Sequence, residues 1–224
     1  MHPHGPQDAR PAASIRRICF EHGTESALKE VLAALRAATA QRHESVDRSM
    51  PLSRPNPNIN DYVEHLRLMR AWLHPLECWL EGSDVYPDSS SPRILQTSLI
   101  DADLAEVGLP SEEVGLPSEA DACVTKPGRW PARALVSYRW GARYVIEGSR
   151  LGAAVLYRRL SNDLRPHNLR YLQGDAGGST DRWPKFLRDL RASVQTPAEI
   201  EAACEGACDS FDALLALRPK KELS

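Results

Sequence analysis

Arg36-Ala37-Ala38-Thr39-Ala40-Gln41-Arg42-His43-Glu44-Ser45-Val46-Asp47 decides how the chain is read. Extended backwards, it places Leu28, Val31, Leu32, Leu35, Thr39, His43 and Val46 at steps of three or four residues, one stripe of an amphipathic helix. That spacing predicts a histidine facing inward. A second long helix is predicted over 131–160, where Gly141, Val145, Gly148 and Gly152 fall on one face. Each interior glycine costs about 1 kcal/mol relative to alanine, so something must approach that backbone closely to offset the loss.

Each feature has an ordinary explanation. A lone histidine on an apolar face also serves as a hydrogen-bonded core residue, and glycines four apart also mark tight helix packing. Taken together they describe a flat object held between two helices, with an imidazole on one side and bare backbone on the other. A planar metal macrocycle such as heme meets that description, with His43 as the metal ligand.

The residues also carry a family resemblance. The stretch 36–47 resembles the proximal helix of heme oxygenases, in which a basic residue, a threonine, the ligating histidine and an acidic residue recur at these spacings. Residues 143–154, Arg-Tyr-Val-Ile-Glu-Gly-Ser-Arg-Leu-Gly-Ala-Ala, resemble the distal helix in its bacterial form. A weaker match runs from Trp183 through Lys185, Phe186, Leu187 and Arg188 to Thr196-Pro197 and Phe211.

The resemblance implies an all-α, single-domain multi-helix bundle with heme between a proximal helix and a kinked distal helix. The implied reaction opens heme to biliverdin and releases carbon monoxide and ferrous iron, using dioxygen and an external reductant such as a ferredoxin, a flavodoxin or a reductase. Iron acquisition or chromophore supply to a bilin-binding photoreceptor are the implied roles. By the same resemblance His43 ligates iron with Thr39 beside it, and Asp47 orients the imidazole. Gly148, Ser149 and Gly152 form the catalytic distal surface. Arg36 and Arg188 meet the propionates, with Arg143 and Lys185 in reserve. Two positions depart from the pattern: Ser149 stands where some members carry aspartate, and Ala153 where many carry glycine. The altered distal face motivates a second reading, a non-catalytic heme-binding protein for storage, transfer or sensing. A third is a helical protein of this fold that binds no heme, leaving His43 in the core.

Composition narrows the classes. At 224 residues and 42% hydrophobic content the chain can bury one substantial core. A net charge of −2 offers no global attraction to nucleic acid. No apolar run reaches the roughly 18 residues that span a bilayer, and Met1-His2-Pro3-His4-Gly5-Pro6 lacks a signal-peptide core, so a cytoplasmic location is expected. Cys19, Cys78, Cys123, Cys204 and Cys208 have no C-x-x-C spacing and imply neither a disulfide framework nor a zinc site. Cys204 and Cys208, one helical turn apart, are read as small buried residues, a shared soft metal being the alternative.

Along the chain, residues 1–24 read as a mobile leader, 25–218 as the helical domain and 219–224 as a tail. Thr24 or Ser26 is the expected first cap. A helix over 60–80 carries Tyr62, Leu66, Met69, Leu73, Leu76 and Leu80 as its stripe, with Trp72 and Trp79 flanking it. Residues 82–92 read as a loop. Between 106 and 119 Glu-Val-Gly-Leu-Pro-Ser-Glu occurs twice in succession, a local duplication that lengthens a surface connection. Residues 165–182 form another loop, with Asp181 expected to cap the helix after it. Thr196-Pro197-Ala198-Glu199 starts a last helix that buries Ile200, Ala203, Ala207, Phe211, Leu214 and Leu215.

Overall fold

A computed structural model describes residues 13–81, 83, 85, 95–108, 132–174 and 182–218. The duplicated heptad beyond Gly108, most of the 82–92 loop, Asp181 and the 219–224 tail lie outside these residues. Within them the fold is all-α, as expected, with no strand. The helices are α1 (Ala13–Ser49), α2 (Ile59–Leu80), α3 (Gln96–Glu106), α4 (Ala132–Leu160), the single turn α5 (Arg170–Gln173), α6 (Arg182–Ser193) and α7 (Pro197–Ala216).

Caps explain several boundaries. Asn58 accepts from the amides of Asn60 and Asp61 while Asp61 returns to the Asn58 amide, a reciprocal box that starts α2 after Pro55 and Pro57. Thr196 and Glu199 do the same for α7, with Pro197 in the first turn. Helix α1 departs from expectation. It starts at Ala13, inside the segment read as a leader, so Thr24 and Ser26 lie within the helix instead of capping it. No proline follows Pro11 until Pro51, and the intervening alanines, arginines and glutamates favour continued helix.

Helix α3 has no periodic stripe to announce it. Its N-terminal Leu95 offers no side-chain cap. Buried Glu77 of α2 supplies one instead, its carboxylate accepting from the Gln96 amide at 2.9 Å and from the Thr97 hydroxyl at 2.7 Å. An anion at a helix N-terminus is favourable, and it anchors α3 to α2.

The core lies between α2, α4 and α7. The whole predicted stripe of α2 is buried, and Trp72 with it, donating from its indole to the Ser210 carbonyl at 2.8 Å. Of the α7 residues expected inside, Ala203, Ala207, Phe211 and Leu214 are buried, while Ile200 and Leu215 are half-buried. Helices α4 and α7 form the most extensive pair, and α1 lies along α7. Ala38 stands beside Cys208 and, one turn on, Arg42 beside Asp212, so α1 and α7 run parallel.

Candidate heme site between helices α1 and α4

On α1 the stripe divides. Val31, Leu32, Leu35 and Thr39 are buried, and the Thr39 hydroxyl donates back to the Leu35 carbonyl at 2.7 Å. One turn later His43 does not point into the core: its side chain is 64% exposed. The helical face is the predicted one, but at this turn α7 covers it only in part. Helix α1 rests on α7, where Arg42 forks onto Asp212 at 2.8 Å through two nitrogens, and it makes little contact with α4. His43 therefore stands at the border of the α1–α7 seam, its ring edge-on to Phe211 with centroids 5.9 Å apart.

The imidazole is oriented. His43 Nδ1 lies 2.9 Å from Asp47 Oδ2, one turn on. A carboxylate only accepts, so this contact favours the neutral tautomer with its hydrogen on Nδ1 and its lone pair on Nε2. That is the arrangement of a histidine metal ligand with a carboxylate behind it.

On α4 the predicted glycine face separates into two functions. A Cβ built on Gly141 would lie 1.8 Å from the Ala203 carbonyl oxygen of α7, and one on Gly206 would lie 2.0 Å from that of Tyr138. These two glycines let the α4 and α7 backbones touch, the packing explanation for bare backbone. Gly148 and Gly152 are different. A Cβ at either would meet nothing within 4 Å, and the adjoining Leu151 and Val155 are 45% and 55% exposed. Two to three turns past the α7 crossing, the same face is bare and open.

Flanking residues of α4 point away from that face. Ser149 donates to the Ile146 carbonyl at 2.8 Å and lies 3.5 Å from the Gln96 amide nitrogen. Its single hydroxyl hydrogen is thus committed to its own helix. Glu147 faces the interior, 3% exposed, where Arg182 forks onto it at 2.7 and 3.0 Å. Arg143, expected as a reserve propionate contact, is built into the fold. It donates to the Val85 carbonyl and its guanidinium stacks 5.0 Å from the Trp140 ring centroid and 5.1 Å from that of Phe186.

Helices α1 and α4 meet at Arg36 and Tyr144. The Arg36 guanidinium lies close to the Tyr144 hydroxyl, whose pKa is raised by burial and drawn back by that cation. Trp183 of α6 packs on Tyr144 at 5.8 Å. The resembling stretches include both aromatics but imply a role for neither, although Tyr144 sits one turn before Gly148. Lys185 and Arg188 are exposed on α6. Cys204 and Cys208 are half-buried on α7, their thiol pKa values raised chiefly by burial, and no cluster able to hold a metal ion occurs among the described residues. A cavity of about 430 Å³ lies elsewhere, lined by Ile59, Asn60, Val63, Glu64, Arg67, Val107 and His167, and contains none of the candidate residues.

Comparison with known proteins agrees with the arrangement. The family model described as heme oxygenase matches residues 29–217. Heme oxygenase PigA of Pseudomonas aeruginosa is 28% identical over 174 residues, covering 77% of this chain and 81% of the relative. No solved structure matches significantly. No described helix is long and apolar enough to cross a membrane. With the matched region running from the start of the α1 stripe to the end of α7, and an oriented histidine and a bare helical face inside it, the chain belongs to the heme oxygenase family, enzymes that act on heme.

Proposed function

We propose that this enzyme would hold heme between α1 and α4, with His43 Nε2 to ligate the iron, and open it to biliverdin. The observation that carries the reading is the contrast along one face of α4. Gly141 is filled by a neighbouring backbone, whereas Gly148 and Gly152 leave room that any Cβ would take. The donor set fits as well: one imidazole with its Nδ1 held by Asp47, and a partner helix with no competing ligand at Gly148 or Gly152.

Bound heme supplies the redox iron and is itself the substrate, consumed with dioxygen and electrons from an external reductant, with release of carbon monoxide and ferrous iron. The chain's residues set the geometry. Asp47 fixes the imidazole tautomer. The bare turns at Gly148 and Gly152 let backbone lie against the ring, so that access to its edge is restricted sterically. Arg36, beside Tyr144 where the two helices meet, and Arg188 on α6 give the propionates charge-assisted partners that fix rotation in the plane. Ser149, with its hydrogen on Ile146, contributes as part of the turn and not as a proton donor. A ferredoxin, a flavodoxin or a reductase would donate the electrons. A bilin-binding photoreceptor is the proposed recipient of the product, with iron supply as the other role. The free thiols of Cys78, Cys204 and Cys208 suit the reducing cytoplasm in which we place the reaction.

The test is hemin, oxygen and a reducing partner in the presence of catalase, which removes free peroxide. Decay of the Soret band with growth of the broad red absorption of one biliverdin isomer is expected. A stable oxy-complex, or a mixture of all isomers, would return the reading to a non-catalytic heme-binding protein. His43→Ala should abolish the histidine-ligated spectrum while helical content stays; retention of the wild-type spectrum would overturn the ligand assignment.

A further inference from the structure

Glu147, immediately before Gly148, is a buried carboxylate faced by three guanidinium groups. Arg182 Nε and Nη2 approach its two carboxylate oxygens at 2.7 and 3.0 Å, a planar fork that admits one relative orientation of α4 and α6. Arg143 and Arg150, one turn to either side on α4, stand 3.8 and 3.9 Å away. Burial pushes the Glu147 carboxyl up, yet the guanidiniums, Arg182 foremost, leave it below the ordinary carboxylate range.

Helix α6 offers few buried side chains among the described residues. It spans 12 residues, of which only Phe186 and Leu190 are buried, and a helix that short is marginal without docking. Its packing partner among the described helices is α4. The contacts line up along successive turns of that helix: Phe186 against Trp140 and the Arg143 guanidinium, Trp183 against Tyr144, and Arg182 on Glu147. A buried ion pair adds little net stability over an apolar pair of the same shape, but its geometry is demanding.

We infer that Glu147 is a positioning residue whose fork with Arg182 locks the first turn of α6 to the turn preceding Gly148, setting Lys185 and Arg188 relative to the heme plane. The inference rests on the heme-site reading above. It makes orientation of the ring, not its ligation, the property that depends on Glu147.

Arg182→Gln is the variant of choice. Arg182 is 35% exposed and its loss leaves Glu147 with Arg143 and Arg150, so the fold survives. In the apoprotein, amide exchange over residues 183–190 should rise at least about tenfold, while exchange in α2 and α7 stays as in wild type. In the cyanide-ligated ferric complex, proton NMR should show the single set of heme-methyl resonances of wild type split into two or more, with the Soret band and histidine ligation unchanged. Glu147→Gln should give the same two changes. Unchanged exchange, or faster exchange with one unaltered heme-methyl set, overturns the lock while leaving the heme site standing. Failure of wild-type protein to give a Soret band with hemin overturns both.

Discussion

His43, expected on the inward stripe, stands largely exposed instead. Helical spacing locates its face but not how far a neighbouring helix covers that face, and α1 makes little contact with α4. A side chain 64% exposed contributes little to folding, so His43→Ala should alter apoprotein stability by less than about 0.5 kcal/mol. Asp47 shares that exposure and acts only through the imidazole. Loss of a carboxylate behind a ligating histidine costs roughly 10–100-fold in metal affinity, and an exposed pair belongs at the low end. Asp47→Ala should therefore weaken hemin binding about tenfold, read by titration of the Soret band, with ligation retained. Undiminished affinity would reduce the 2.9 Å contact to a surface ion pair.

Helix α4 makes a sharper comparison, because one face carries glycines with opposite expected behaviour. Gly141→Ala drives a methyl group to within 1.8 Å of a carbonyl oxygen on a packed helix, where backbone cannot step aside cheaply. A loss of about 3 kcal/mol in apoprotein stability is expected, the upper end of overpacking. Gly152→Leu meets nothing and should leave the apoprotein melting temperature nearly unchanged while hemin affinity collapses. Equal destabilisation by both would make all these glycines packing residues. The sequence displays these glycines at equivalent spacing, so their division was not legible; it depends on Gly206, a position on another helix that supplies the reciprocal contact. The long periodic stripes of α2 and α7 were legible, as was the Thr196–Glu199 start of α7, because their signals are local. Helix α3 was not, since its cap is Glu77, nineteen residues upstream of Gln96 on another element. Nor was the Arg36, Tyr144 and Trp183 junction, which joins three helices.

At the scale of the whole molecule, the core carries a histidine whose burial couples folding to pH. His65 of α2 is 4% exposed, its ring 6.1 Å from Tyr171, and its Nδ1 has no hydrogen-bond partner. Burial disfavours the imidazolium and lowers the pKa from 6.5 to about 4. The sign of the effect follows from proton uptake. Below pH 6.5 the unfolded chain binds a proton on His65 that the folded chain refuses until about pH 4, so stability is intact at neutral pH and falls as pH drops through that window. The full loss is on the order of 3 kcal/mol, and about 2 kcal/mol of it is spent by pH 5. The carboxylates held low by ion pairs, Glu147 among them, lose their contribution at lower pH and cannot mimic this onset. His65→Leu keeps an apolar group of similar size and removes the titration. Urea unfolding at pH 7 and pH 5 should show the wild type losing about 2 kcal/mol more than the variant over that interval. Parallel losses in the two proteins would mean that His65 accepts its proton inside the folded core, and that the space around Nδ1 admits water.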